Sequence, residues 1–280
     1  MLLILGSFFV QMTFVFGFLI LYGMLISFFN NCFYSACGDK ARPIVKLTGY
    51  LGIPVHELSH ALMCLLFGHS IKKIELFNHK KRAKILGFVE HTYYRDNPYH
   101  QLGNFFIGVS PILAGGGVIL LFVRLLVPSL FESMTSEISD IAATLSGGLS
   151  DGFFLALATG AGRITAKIFA IGNLAKPLYW LCLVLVFAVA IHMETSWSDI
   201  RSGARGLLAL AVLFLVTDIV LGLLFPNALV RFTEGCMMVG VYEALFLLVP
   251  AIFTAVLGGI SLLVRAFQIM FGEEKKKKGR

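Results

Sequence analysis

Several separate apolar runs, each long enough to cross a lipid bilayer, constrain this chain more than any other feature. A helix needs about 20 apolar residues to cross about 30 Å of hydrocarbon. Only 14% of the 280 residues are charged, against about a quarter in soluble domains. We therefore predict an all-α polytopic membrane protein with about six transmembrane helices. The predicted spans are residues 2–29, 44–67, 105–127, 178–193, 206–225 and 235–271. We expect an interfacial or re-entrant helix over residues 151–175, where glycines and basic residues interrupt the apolar pattern.

The distribution of basic residues predicts how the chain lies in the membrane. Seven lysines and arginines follow the second span, between residues 72 and 95, and four lysines occupy positions 275–278. Positive loops favour the cytoplasmic side. With six crossings, both termini are then cytoplasmic, most simply at the cell membrane, and the connector with Glu132, Glu137 and Asp140 lies outside. The formal charge of +7 comes with no nucleic-acid motif, so we expect the lipid bilayer, and no nucleic acid, as a partner.

The basic connector, residues 68–104, has the pattern of a small β-hairpin. Two short strand-like pieces, residues 71–77 and 83–90, flank a polar turn. An unpaired strand edge can hold an extended peptide by main-chain hydrogen bonds. We expect residues 83–90 to offer that edge, although a solvated basic loop that contacts anionic lipid is the alternative. The histidines at 69, 79, 91 and 100 are expected to be solvated.

The second span carries the sequence His-Glu-Leu-Ser-His at residues 56–60. Residues four apart share one face of a helix, so His56 and His60 can present two imidazoles to one metal ion. Glu57 then lies beside the ion, where it can act as general base. Three ionisable groups inside a span are costly in lipid unless they serve a site. The pattern predicts a catalytic Zn²⁺ centre, and a polar helix face bonded inside the bundle is the alternative.

The residues around this motif, Gly52-Ile-Pro-Val-His-Glu-Leu-Ser-His-Ala-Leu62, followed by Leu66-Phe-Gly68 and the hairpin, resemble the site-2 protease group of intramembrane zinc metalloproteases. The resemblance implies a third ligand, an aspartate near the start of a later transmembrane helix. By position this is Asp199. It also implies an asparagine near the zinc that steadies the oxyanion, for which Asn104 is the candidate.

Independent features of the sequence also draw attention to Asp199. Ser196 and Ser198 are good N-cap residues for the helix that becomes the fifth span. Asp199 is alternatively a first-turn acid favoured by the helix dipole. His192, at the end of the fourth span, competes with it as a ligand, or serves to orient Asp199 or to contact substrate. Asp218, an acid further along the same helix, is expected to lie far from the metal.

These expectations combine into one integral membrane metalloprotease domain over residues 1–280. The motif lies on span 44–67, and the third-ligand region is 192–205. The expected activity is zinc-dependent hydrolysis of a peptide bond in a membrane-spanning or membrane-associated substrate. A metal-dependent hydrolase of a lipid or small amphiphile is the first alternative. A transporter or receptor with a metal-stabilised helix pair, which would saturate the metal with protein ligands, is the second. Oligomeric state is left open.

Overall fold

A computed structural model describes residues 1–38, 41–78, 85–145 and 152–278 of the chain. Nearly all of these residues are helical, and the remainder include one small sheet. The helices and strands, in chain order, are α1 (Leu2–Met12), a π-helical segment (Thr13–Gly17), α2 (Phe18–Cys37), α3 (Ala41–Leu66), β1 (Ser70–Glu75), β2 (Phe88–Thr92), α4 (Pro98–Leu126), α5 (Pro128–Leu145), α6 (Phe153–Ile168), α7 (Ile171–Leu174), α8 (Pro177–Ala190), α9 (Trp197–Leu224) and α10 (Pro226–Lys278).

Five helical stretches among the described residues are long and apolar enough to cross a membrane. They are Leu2–Cys37, Pro98–Leu126, Phe154–Leu174, Trp197–Leu224 and Pro226–Met270. Large apolar side chains on their outer faces are exposed, as on α9 at Leu208 and Leu223. Such faces would be an aggregation liability in water and are suited to lipid. The prediction of an all-α polytopic membrane protein is confirmed.

The set of apolar helices differs from the predicted spans in three places. Residues 154–174 qualify as a candidate span, whereas the sequence favoured an interfacial helix there. The predicted second span, now α3, is outside the five, and its apolar character is interrupted by the polar motif at residues 56–60. The predicted fourth span is the shorter apolar helix α8, of 14 residues. The predicted final span is the interior of α10, which continues through Pro250.

The predicted connector between the third and fourth spans contains α5 and α6, two helices held together by charge. Glu137 on α5 forms ion pairs with Arg163 and with Lys167 on α6, the latter at 2.9 Å. The hydrogen bonds from Lys167 and Arg163 lower the pKa of Glu137, and the bond from Lys167 has the larger effect. Glu137 therefore joins the two helices.

The predicted hairpin is confirmed, with its second strand further along the chain than expected. β1 and β2 pair antiparallel, with Ser70 opposite Thr92 and Ile74 opposite Val89. The expected strand 83–90 overlaps β2 only at residues 88–90, and residues 83 and 84 lie outside the described part. Residues 85–87 precede the strand without belonging to it, although the Asn78 N–H donates to the Leu86 carbonyl at 2.6 Å.

The helix bundle brings the motif to its centre. α3 runs antiparallel to α4, since His60 meets Ile107 and Phe67 meets Gly103. α1 runs antiparallel to α9, since Ile4 meets Gly222 and Gln11 meets Asp218. Asp218 is fully buried on α9 and accepts a hydrogen bond from Gln11 of α1 at 2.9 Å. This buried acid thus takes part in a contact between helices.

Candidate metal centre

The two motif histidines face one another on successive turns of α3. The Nε2 atoms of His56 and His60 lie 3.1 Å apart. His60 is buried and His56 is partly buried. The spacing of four residues thus brings the two rings together, as expected for side chains on one helical face.

Backbone carbonyls fix the tautomer of both rings. His56 Nδ1 lies 2.7 Å from the carbonyl oxygen of His192, and His60 Nδ1 lies 2.8 Å from that of Ile107. A carbonyl oxygen can only accept, so each Nδ1 carries the proton and donates it. Each Nε2 is then left with a lone pair, and these two lone pairs point at one another across 3.1 Å. Two lone pairs at this distance repel one another unless one cation binds both. A backbone acceptor on Nδ1 is also the usual way in which a protein orients a histidine that binds metal through Nε2.

Asp199 lies beside this pair, at the first turn of α9. Its Oδ2 is 3.7 Å from His60 Nε2. His56, His60 and Asp199 each offer a ligand atom, and these atoms lie within 4.8 Å of one another. Two imidazoles and a carboxylate from two helices form a donor set that suits Zn²⁺.

A capping box determines the position of Asp199. Ser196 is the N-cap of α9, and its Oγ accepts the Asp199 N–H, while Asp199 Oδ2 accepts the Ser196 N–H at 2.9 Å. The prediction of Ser196 as an N-cap is confirmed. Asp199 is also an acid in the first turn of α9, as the alternative interpretation expected, and the same carboxylate lies 3.7 Å from His60 Nε2.

Glycines allow the helices of the centre to approach closely. A Cβ at Gly108 of α4 would lie 2.8 Å from the Asp199 carbonyl oxygen. A Cβ at Gly52 of α3 would collide with the Ala188 carbonyl and with the His192 ring. Small residues are the usual means of close helix packing in membranes. Any larger side chain at Gly108 would push α9, and with it Asp199, away from α4.

Glu57 follows His56 on α3 and is enclosed. The residue is only 7% exposed to solvent. The backbone just before β2 covers it, since a Cβ at Gly87 would lie 2.9 Å from Glu57 Cγ and 3.0 Å from Oε1. The hairpin therefore extends back over the motif, and its backbone lies against the carboxylate.

His192 and Asn104, the other two candidates, lie next to the centre. The His192 ring is bonded through Nε2 to Thr48 Oγ1 at 3.0 Å, while its carbonyl orients His56. Asn104 is almost fully buried, and its Oδ1 accepts from Ser202 at 3.1 Å. Its amide Nδ2 has no hydrogen-bond partner. The structure thus gathers Asp199, and not the His192 ring, with the two motif histidines.

A second group of potential ligands went unrecognised in the sequence. Cys64, His69 and His91 also offer ligand atoms within 4.8 Å of one another. The expectation that the connector histidines are solvated is wrong for His69 and His100, which are 3% and 8% exposed; His79 lies outside the described residues. Burial lowers the pKa of both His69 and His91. The sequence feature that could have indicated this group was Cys64, which lies one helical turn beyond His60.

An apolar cavity of about 430 Å³ adjoins the centre between α2, α4 and α9. Leu19, Met24, Ile112 and Leu207 are among its lining residues, and Asp199 and Thr195 lie at the same wall. An apolar cavity with a few polar groups at one side is typical of binding sites. Asp199 therefore lies in the lining of this apolar cavity.

Comparison with known proteins bears on the segment that carries the motif. The family model described as peptidase M50B-like matches residues 33–81, which span the end of α2, all of α3 and the start of the hairpin. Neither the curated proteins nor the solved structures gave a match to the chain. The matched segment contains His56, Glu57 and His60, and it is consistent with a membrane metallopeptidase. Together with the helical membrane fold, the match supports assignment of this chain to a site-2 protease-like family.

Proposed function

We propose that the protein is a zinc-dependent intramembrane peptidase that hydrolyses a peptide bond of a membrane-spanning or membrane-associated protein. One observation carries the proposal: the Nε2 atoms of His56 and His60 lie 3.1 Å apart, and Asp199 Oδ2 lies 3.7 Å from His60 Nε2. The match to the peptidase family in the same segment supports it.

In this proposal His56 Nε2, His60 Nε2 and an oxygen of Asp199 hold the zinc. Three protein ligands leave one coordination position for the water that a catalytic zinc requires. When bound, zinc would lower the pKa of a coordinated water to about 7 and polarise the substrate carbonyl. Glu57, which follows His56 on α3 and can serve as a base, favours catalysis over the alternative of a non-catalytic, metal-stabilised helix pair.

Glu57 is the proposed general base and acid. It follows His56 on α3, so its carboxylate begins next to the ligands while remaining outside the donor set. It takes a proton from the attacking water and gives it to the amide nitrogen as the carbon–nitrogen bond breaks. The backbone at Gly87 covers this carboxylate and limits the access of other water.

Asn104 is proposed to stabilise the oxyanion. Its Oδ1 is fixed by Ser202, three residues beyond Asp199, so the orientation of the amide is set. Its Nδ2 is a buried donor with no partner. An unpaired buried donor is costly, and a developing negative charge on the substrate would satisfy it.

The hairpin favours a peptide over a lipid as substrate. Among the described residues the sheet contains β1 and β2, so β2 has one edge that no strand pairs. An extended peptide added to that edge would continue towards Gly87, whose backbone lies against Glu57. The apolar cavity between α2, α4 and α9 would hold the adjoining hydrophobic part of the substrate. A substrate helix must unwind locally to expose its carbonyl, so helix-breaking residues should promote cleavage.

The side of the membrane on which cleavage occurs follows from charge. Lys72 and Lys73 lie on β1, within the basic connector. By the positive-inside rule we propose that the hairpin faces the cytoplasm. The location of both termini in the cytoplasm and the identity of the membrane as the cell membrane stay predictions.

The test uses the full chain reconstituted in lipid with a single-span peptide substrate that contains a glycine-rich break. We expect Glu57→Gln to retain bound zinc and to lose cleavage by about 10²- to 10⁴-fold. Glu234→Gln, at an exposed position of α10, is the matched control and should retain both properties. Cleavage at the wild-type rate by the Glu57 variant would overturn the proposal.

A further inference from the structure

The end of α3 and the hairpin form a second cluster of metal-ligating side chains, separate from the centre at His56. The turn after α3 brings the first of these residues together. Gly68 has a positive φ of 71°, and the His69 N–H donates to the Cys64 carbonyl at 2.8 Å. This is the hydrogen bond of a helix-terminating glycine motif. It folds His69 back over the last turn of α3, beside Cys64.

The register of the hairpin supplies the third residue. Ile71 on β1 lies opposite His91 on β2, which brings the two histidines within contact distance. His69 Nδ1 and His91 Nδ1 are 3.1 Å apart. Cys64 is fully buried and His69 is nearly so. Helix, turn and strand thus converge on one enclosed point.

The neighbours of His69 orient its donor atom inward. His69 Nε2 lies 3.0 Å from the His100 carbonyl oxygen. Since that oxygen can only accept, the proton of His69 is on Nε2 and the lone pair is on Nδ1, which faces His91. The Tyr93 ring stacks on His69 with centroids 4.8 Å apart. A backbone carbonyl on the far nitrogen is the usual support of a histidine ligand.

We propose that Cys64, His69 and His91 bind a second zinc-type divalent ion, which fastens the hairpin to the end of the helix that carries the catalytic motif. A thiolate and two imidazoles suit Zn²⁺ better than Mg²⁺ or Ca²⁺, which prefer oxygen ligands. Binding releases the thiol proton, because the thiolate is the ligand. A water completes the coordination. α3 then supplies ligands to both ions from three successive turns, at His56, His60 and Cys64.

The test uses cobalt as a spectroscopic substitute in the full chain, purified in detergent and loaded with Co²⁺. We expect two ions per chain and a thiolate-to-cobalt charge-transfer band in the near ultraviolet. The zinc form should give a sulfur scatterer at about 2.3 Å by X-ray absorption. These measurements on the wild type need no variant. One ion per chain without a sulfur ligand would overturn the proposal, and a simple hydrogen bond between His69 and His91 would then account for their contact.

Variants identify the ligands. Cys64→Ser should lose the charge-transfer band and one ion, whereas Cys182→Ser, at an equally buried cysteine of α8, should keep both. The double variant His56→Ala, His60→Ala should lose the other ion and keep the band. Persistence of the band in Cys64→Ser would contradict the assignment. Because the band reports only this cluster, its presence or absence is independent of whether the chain cleaves peptides.

Discussion

Asp199 Oδ2 lies 3.7 Å from His60 Nε2 while it accepts the backbone N–H of Ser196. One carboxylate therefore belongs both to the cap of α9 and to the candidate metal centre. The cap restricts the carboxylate before any ion arrives, which reduces the entropy lost on binding. The position of the third donor is thus determined by local sequence around the start of α9.

Removal of the capping hydroxyl should weaken metal binding without removing a ligand. Ser196→Ala loses a hydroxyl that accepts the Asp199 N–H and donates to its carboxylate. We expect a loss of about 1 kcal/mol in helix stability and a decrease in zinc affinity of at least about tenfold. Competition with a chelator measures the affinity. Thr217→Ala, whose hydroxyl donates to the Leu213 carbonyl further along α9, is the control, and an equal loss there would contradict the role of the cap.

Asp199 and His192 should differ in their effect on zinc content. Asp199→Ala removes a proposed ligand, so the purified protein should lose zinc at the centre. His192→Ala keeps the backbone carbonyl that orients His56 and removes only the ring bonded to Thr48. We expect this variant to retain zinc. Metal analysis of both purified variants distinguishes the ligand from its neighbour. Loss of zinc only in the His192 variant would make His192, and not Asp199, the third ligand.

Added volume between α4 and α9 should displace Asp199. In Gly108→Ala the new Cβ would lie 2.8 Å from the Asp199 carbonyl oxygen, and overpacking of this kind costs about 1–3 kcal/mol. We expect weaker zinc binding and slower cleavage. Gly117→Ala on the same helix, where nothing lies within 4 Å of the added Cβ, should leave both unchanged. Equal behaviour of the two variants would argue against the close approach of the helices at Gly108.

The contact between α5 and α6 should depend on pH. The pKa of Glu137 is lowered from its usual 4.5 by Lys167 and Arg163. Its stabilising contribution is therefore fully present above about pH 4.5 and is lost as the pH falls towards the lowered value. Glu137→Gln should destabilise the protein at neutral pH by about 1 kcal/mol or less, since Arg163 is largely exposed. Thermal unfolding should show this difference vanish in acid, and Glu132→Gln is the exposed control on α5.

Local patterns in the sequence predicted the parts of the site that depend on short distances along the chain. The spacing of His56 and His60 requires only helical geometry, and the cap at Ser196 requires only the start of a helix. The meeting of α3 with α9 was reached through the family resemblance, because no local rule brings residues 60 and 199 together. Glycines such as Gly108 allow the close packing of helices that brings these residues together. From the sequence alone, the same glycines could equally be interpreted as ordinary helix contacts.

The second cluster was missed for a physical reason. Its geometry combines a helix-terminating turn at Gly68 with a strand register between β1 and β2. Register is fixed by pairing and not by composition, and the expected second strand began too early in the chain. A shift of this kind moves the residue opposite Ile71 and hides the convergence of His91 on His69. The apolar length of residues 154–174 was also underestimated, since Arg163 and Lys167 of α6 are paired with Glu137 of α5.

Gly87, which lies against Glu57, connects the proposed base to the hairpin. The segment that shields the proposed base leads directly into the strand with the unpaired edge. A peptide that pairs with β2 would pull on the same backbone that keeps bulk solvent from the carboxylate. Substrate binding and exposure of the Glu57 carboxylate would then occur in one movement, so that without substrate the carboxylate would stay shielded from bulk water.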